Sequence, residues 1–263
     1  MSNCNTYGEN QLTENQFKSL KRAPAYILAE EAIRGMILDG TLGAGDLLPG
    51  EHDLADQLGI TRPTVREAFR KLESSGLIER GHRRRMQVSV PSSEVSSSAI
   101  RHAIVMHGVT YRDLWEVSTS IEPTAARLAA ERADESILAL IETNLERTRA
   151  CIDKPKELVQ ADMEFHELVT RASGNHALQL AREPLGEFLA EAYGVVTKKV
   201  GPGKRLLKAH EMIFEAIKNR DAATSEEWMA KHYRDFLRGC EVAGINVDDP
   251  VSKVNKKWKI ENR

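Results

Sequence analysis

Cysteine is scarce in this chain of 263 residues, which contains only Cys4, Cys151 and Cys240. Their odd number and wide spacing argue against a disulfide framework, and the lack of a CxxC pair argues against a thiolate zinc site. No apolar run reaches the roughly 18 residues of a membrane span, and the polar N-terminus lacks a signal pattern. We therefore expect a cytoplasmic protein with no membrane partner.

Aromatic residues are also few, at 5% of the chain, whereas hydrophobic residues make up 41%. This composition can bury a sizeable core, and the abundance of Ala, Leu, Glu and Arg favours a mainly helical fold. The net charge of −2 excludes no partner, because binding to a polyanion depends on local patches. The chain also lacks a P-loop, a dinucleotide fingerprint and a nucleophile elbow.

Periodicity and turn residues divide the chain into five predicted segments. Residues 1–22 form a flexible arm, 23–91 a winged helix-turn-helix with three helices and a small β-hairpin, and 92–98 a serine-rich linker. Residues 99–244 form an all-α bundle of six or seven helices, and 245–263 a loose charged tail. The helices predicted for the bundle lie near 99–107, 110–131, 135–152, 155–173, 176–199, 204–219 and 222–243.

The stretch from Leu54 to Arg85 carries the clearest functional pattern. Gly59 turns the chain between two helices, Thr61 can cap the second of them, and Pro63 suits its first turn. Alternating residues on both sides of Gly81 predict a hairpin wing. The segment therefore has the order of elements found in DNA-binding winged helices.

Basic residues concentrate at the two points of this segment that can reach DNA. Arg62 and Arg66 share one helix face, and the helix start, with Thr61 and Thr64, favours phosphate and base edges. The hairpin tip adds further candidates, namely His82, Arg83, Arg84 and Arg85. The alternative interpretation is a solvated basic face without a partner.

Residues 24–90 resemble the winged helix-turn-helix of the GntR family of bacterial transcription regulators. The matching stretches are GDLLP at 45–49, LA at 54–55, GITRPTVREA at 59–68, Leu72, and GLI at 76–78. The resemblance implies DNA contacts from Thr61, Arg62, Thr64 and Arg66, a wing glycine at Gly81, and a dimer on a short palindromic operator. His52 stands where the family often has an arginine.

A candidate metal site lies in the helical half. Asp162 and His166 are four residues apart on one predicted helix, and His210 and His232 lie on two later helices. One carboxylate and three imidazoles suit Zn²⁺, with Ni²⁺ or Mn²⁺ as alternatives. A chance pairing of Asp and His is the competing interpretation.

Residues 99–243 resemble the FCD domain, the ligand-binding module of the FadR-type GntR subfamily. The matching stretches include LWEV at 114–117, IEP at 121–123, DMEFH at 162–166, SGN at 173–175, His210 and His232. The resemblance implies that Asp162 and the three histidines are metal ligands. Many relatives carry an arginine where this chain has Ser118, so a bidentate clamp for an organic acid is missing there.

Because that arginine is absent, the effector can be an aromatic metabolite as well as a small organic acid. Six residues could line the effector pocket. They are Trp115, Ser118, Thr119, Glu122, Phe165 and Tyr193. The competing interpretation is that the aromatic members belong to the core.

Two functions are compatible with the sequence. The first is a ligand-responsive repressor of a catabolic operon that binds double-stranded DNA as a homodimer and is not an enzyme. The second is a metal-dependent enzyme with a DNA-tethering domain, in which the metal activates water.

Overall fold

The computed structural model describes residues 23–81 and 85–253, and it divides the chain into two compact units at Pro91 and Ser92. The fold is mainly α, as predicted, with a two-stranded sheet in the first unit. Within the described ranges, no helix combines the length and the apolar character needed to cross a bilayer.

The first unit is a three-helix domain with a β-hairpin. Its elements are α1 (Ala25–Leu38), α2 (Glu51–Leu58), α3 (Arg62–Ser74), β1 (Ile78–Arg80) and β2 (Met86–Val88). The strands are antiparallel, with Glu79 opposite Gln87. The apolar stripe of α3 packs into a core that includes Ile33, Leu54 and Ile78, so the opposite face of α3 is left to solvent.

The turn between α2 and α3 depends on Gly59, whose φ of 64° is a conformation that glycine adopts at little cost. Thr61 occupies the N-cap position of α3 with extended backbone. Its predicted capping bond is wrong, because Thr61 Oγ1 lies 2.8 Å from Thr64 Oγ1 and no backbone N–H of α3 donates to it. The two threonine hydroxyls pair with each other instead.

The second unit is the predicted helical bundle. Its helices are α4 (Ser93–Met106), α5 (Tyr111–Arg132), α6 (Glu135–Ala150), α7 (Pro155–Ala172), α8 (His176–Val200), α9 (Gly203–Lys218) and α10 (Ala222–Val242). Helix α5 packs along α10, and α7 packs between α6 and α8. Five of these helices, namely α5, α7, α8, α9 and α10, therefore meet around the middle of the unit.

The linker predicted at 92–98 is largely helical, since α4 begins at Ser93. The hydroxyl of Ser92 accepts a hydrogen bond from the backbone N–H of Val95 and caps the helix. Ser97 is buried. The serine-rich stretch therefore supplies both the N-cap of α4 and a buried position in the unit. Its composition alone predicts a loop.

The tail predicted to be loose from 245 is packed against the second unit as far as residue 251. Ile245, Val247 and Val251 are buried in its core. The backbone N–H of Arg112 donates to Val247 O, and that of Val251 donates to Val109 O. Three apolar residues among charged ones thus hold the segment in place, while residues 254–263 lie outside the described ranges.

Candidate functional site

Four potential metal ligands converge from three helices of the second unit. Asp162 and His166 lie one turn apart on α7, His210 lies on α9, and His232 lies on α10. One donor atom from each lies within 4.8 Å of the other three. Asp162 Oδ1 is 3.3 Å from His210 Nε2 and 3.8 Å from both His166 Nε2 and His232 Nε2.

The chemistry of these donors fits a cation at their centre. His166 Nε2 and His232 Nε2 lie 3.2 Å apart, close to the roughly 3.3 Å between donors on a tetrahedral zinc with bonds of about 2.0 Å. Asp162 Oδ1 and His210 Nε2 are buried, 3.3 Å from each other, and neither has another hydrogen-bond partner within the described part of the chain. Buried polar atoms without partners are costly, and a shared metal ion would satisfy them.

The protonation of two of the histidines suits metal binding. Burial, together with the neighbouring His210 and His166, lowers the pKa of His232 to about 3. Burial also lowers the pKa of His210, whose ring stacks on Phe165 with centroids 3.7 Å apart. Both imidazoles are therefore neutral near pH 7, which is the form that binds a metal.

Glu122, on α5, orients the ring of His166 through Nδ1, the ring nitrogen that does not face the other three donors. Its Oε2 lies 3.0 Å from His166 Nδ1, so a proton on Nδ1 leaves the lone pair of Nε2 directed at the other donors. Arg182 Nε and Tyr233 OH both donate to Glu122 Oε1, at 2.7 and 2.9 Å. Burial opposes ionisation of Glu122, but His166 and Arg182 outweigh it and lower its pKa to about 2.

A cavity of about 60 Å³ opens beside these donors. Asp162, His166 and His232 form part of its wall. The effector-pocket candidates that line it are Ser118, Glu122 and Tyr193.

The other three pocket candidates lie elsewhere. The indole N–H of Trp115 donates to Tyr233 O at 2.9 Å, the hydroxyl of Thr119 donates to Glu116 O, and Phe165 is fully buried against His210. Helix rotation explains the position of Thr119, because it faces about 100° away from its neighbour Ser118. Trp115 shares the face of Ser118 and Glu122, but its indole packs against the backbone of α10 at Tyr233.

The DNA-binding candidates lie at the start of α3 and in the hairpin. Thr61, Arg62 and Arg66 are exposed, and Thr64 is half-buried. Arg66 Nε and Nη2 both donate to the carboxylate of Glu51 on α2, with Nη2 at 2.8 Å from Oε2. The carboxylate thus holds one edge of the guanidinium.

In the hairpin, the backbone N–H of Gly81 donates to Arg85 O at 2.8 Å and closes the described part of the wing. A Cβ at Gly81 would collide with the side chain of Gln87. His82 and Arg83, the remaining DNA-binding candidates, lie outside the described residues, as does Arg84.

Two family models match the chain, and each falls within one structural unit. The model of bacterial regulatory proteins of the gntR family matches residues 26–88, and the FCD domain model matches residues 113–235. The chain belongs to the GntR family. The FCD match includes the converging donors, Glu122 and Arg182, and the GntR match includes α3 and the described part of the wing.

Curated relatives of the family align over most of the chain. The transcriptional repressor NanR of Klebsiella aerogenes is 26% identical over 82% of this chain and 85% of its own length. The regulator YdhC of Bacillus subtilis is 25% identical over 86% of this chain and 94% of its own length. The Glc operon transcriptional activator of Escherichia coli is 26% identical over 81% of this chain and 88% of its own length. This chain is accordingly a DNA-binding regulator of transcription, as predicted, and not an enzyme.

A solved GntR structure from Streptococcus agalactiae has the same fold. It superposes with a TM-score of 0.59 and 23% identity, and the match covers 81% of this chain and 99% of that one. At this level of identity the likeness concerns the fold alone.

Two residues of the cavity were not predicted from the sequence. Arg182 lies on α8 and Tyr233 directly follows His232 on α10, and both contact Glu122. A lone arginine in a helix is typical of a solvated face, so the sequence offered no signal for Arg182. The position of Tyr233 next to a candidate ligand was the only available hint.

Proposed function

We propose that the chain is a cytoplasmic, homodimeric repressor that binds a palindromic operator and releases it when a small-molecule effector binds in the FCD domain. The effector is a small organic acid or an aromatic metabolite held beside a divalent metal, and the operon is catabolic. The observation that carries the proposal is the convergence of Asp162 and three histidines beside one cavity, with Asp162, His166 and His232 in its wall.

DNA contact is assigned to the exposed start of α3. Val65, Phe69 and Leu72 anchor this helix in the core, so that Arg62 and Arg66 project from the other side. A helix that enters the major groove presents its N-terminal residues to base edges, and arginine pairs there with guanine. Nε and Nη2 of Arg66 donate to Glu51 at the surface, and a DNA phosphate or base can replace this carboxylate.

A salt titration tests this assignment. Duplexes selected from a random library by the purified protein would be titrated at several salt concentrations. Each neutralised phosphate adds about −0.9 to the slope of log affinity against log salt, so several contacts per dimer give a steep line. A flat line would contradict the assignment of these arginines to DNA.

The metal is assigned to Asp162, His166, His210 and His232, with zinc as the first choice and nickel or manganese as alternatives. A divalent cation at this position supplies a positive, Lewis-acidic centre that attracts a carboxylate. Glu122 fixes the ring of His166, and the stacking of Phe165 on His210 fixes the second ring.

Chelation separates an effector-anchoring metal from a structural one. If the metal anchors the effector, its removal abolishes the effector's influence on DNA binding. If thermal stability falls while the influence of the effector persists, the metal is structural and this part of the proposal is wrong.

Dimer formation places two α3 helices on the two half-sites of a palindrome. Light scattering on the purified protein is expected to give twice the chain mass, and a monomer that binds operator DNA would contradict the proposal. The sign of regulation needs its own test, because NanR is named a repressor and the Escherichia coli relative an activator. Deletion of the gene should raise expression from the operator in a reporter strain.

A further inference from the structure

We propose that helix α4 is the surface through which two copies of the chain pair, with their two α4 helices antiparallel. This inference rests on the homodimer of the proposed function, and it adds the contact surface and its geometry, which that proposal leaves open. The occupant of the surface is a second copy of this chain.

Helix α4 buries little of itself in its own unit. It packs mainly against α8, and of its described side chains only Ser97 and Ile104 are buried. Arg101 turns to the same side, with Nε 3.2 Å from Glu187 Oε2 of α8. These three positions share one face of the helix, so the opposite face points away from α8.

The outward face of α4 is apolar. Val95, Ala99, Ala103 and Met106 lie one above the other on this face, and we call them the α4 stripe. All four are exposed, Val95 by 39% and Met106 by 85%, and Ile100 beside them is 47% exposed. A surface helix normally turns its apolar face inward, so α4 has the reverse polarity. Such an uncovered apolar face is typical of a protein–protein contact.

The α4 stripe contains no lysine, arginine or carboxylate. Between Val95 and Met106 the sequence has one such residue, Arg101, and its side chain turns to Glu187 on the other side of the helix. The centre of a protein–protein contact is depleted in charged residues and enriched in methionine. The stripe therefore fits an apolar protein surface rather than a nucleic acid or an acidic peptide.

The α4 stripe complements itself under a twofold axis. If two α4 helices lie antiparallel with the axis near Arg101, Ala99 of one copy meets Ala103 of the other, and Val95 meets Met106. Small side chains at the centre let the two helices approach closely, and the larger ones fill the two ends. The same patch then serves both copies, and the assembly closes at two. The order of side-chain sizes along the stripe thus favours a second α4 as its partner.

An exchange of charge across the axis tests the inference. Ala99→Glu and Ala103→Lys each place a charge at the centre of the contact, opposite an alanine. An uncompensated charge is costly to bury, so each variant of the full, zinc-loaded chain should dimerise at least about 100-fold more weakly in analytical ultracentrifugation. Both positions are exposed and both new residues are good helix formers, so α4 itself should persist.

Mixing the two variants should restore the dimer. In the mixed pair the introduced glutamate meets the introduced lysine on one side of the axis, and two unmodified alanines meet on the other. The mixture should therefore dimerise within about tenfold of the unmodified chain. Ala223→Glu, at an exposed position of α10, is the matched control and should leave dimer affinity unchanged.

Two results would overturn the inference alone. Unchanged dimer affinity in both single variants would place the contact on another surface, and single variants that dissociate without recovering on mixing would exclude the antiparallel pairing. A monomeric unmodified chain would instead contradict the proposed homodimer together with the inference, so its mass is measured first. Zinc uptake by the same samples shows that each variant has folded.

Discussion

The two units of this regulator keep their functional side chains in opposite environments. In the DNA-binding unit the side chain of Arg66 is 51% exposed and pairs with Glu51 at the surface. In the FCD domain His210 and Glu122 are 0% and 1% exposed. The first kind of site can rearrange on contact with a partner, whereas the second is organised before its ligand arrives.

The energetics of ion pairs explain why this difference matters. An exposed pair such as Arg66 with Glu51 contributes about 0–1 kcal/mol, so exchanging the carboxylate for a phosphate costs little. A buried network stabilises only when every member has a partner, and removing one member leaves an uncompensated group. We therefore expect substitutions in the buried site to have the larger effects.

Loss of a ligand should have the largest effect. His166→Ala removes one of four donors and should weaken zinc binding by more than about 100-fold, since even partners behind the ligands contribute about 10–100-fold. Competition with a chromophoric chelator measures this affinity. His102→Ala, on the exposed side of α4, is the control and should leave zinc affinity unchanged.

Glu122→Gln should come next. It retains the shape of the side chain but removes the charge that orients His166, so zinc affinity should fall about 10–100-fold. The exposed Glu116 lies on the same helix, and Glu116→Gln should have no effect on the same measurement. Equal zinc affinities for the two variants would show that Glu122 does not position a ligand.

Arg62→Ala tests the exposed site. The loss of a base or phosphate contact costs about 1–3 kcal/mol, so affinity for a selected duplex should fall roughly 5- to 150-fold in a binding titration. The control is Arg70→Ala, which removes an exposed arginine two turns further along α3. Similar losses in both variants would mean that the helix start has no special role.

Packing of the segment after α10 should have the smallest effect on zinc and DNA binding, since it stabilises the fold away from both sites. Val251 is fully buried, and Val251→Ala should lower the free energy of unfolding in urea by about 2 kcal/mol. Val242 is 68% exposed, so Val242→Ala should change it by less than about 0.5 kcal/mol. An unchanged stability in Val251→Ala would indicate that this segment does not stabilise the domain.

Much of the architecture could be predicted because its signals are local. Gly59 marks the turn before α3, and the sequence motif at 162–166 places two candidate ligands on one helix face. The role of Arg182 could not be predicted, since it depends on how α8 meets α5 in three dimensions. The packing of residues 245–251 was missed because charged neighbours conceal three apolar anchors.

The most direct test of the account measures DNA affinity with and without a bound acid. A duplex selected by the zinc-loaded protein would be titrated in the absence and presence of saturating benzoate or glycolate, whichever binds. Coupling between such sites is worth about 1–3 kcal/mol, so the account predicts a loss of DNA affinity of at least about fivefold. An identical DNA affinity in both conditions, with the acid shown to be bound, would contradict it.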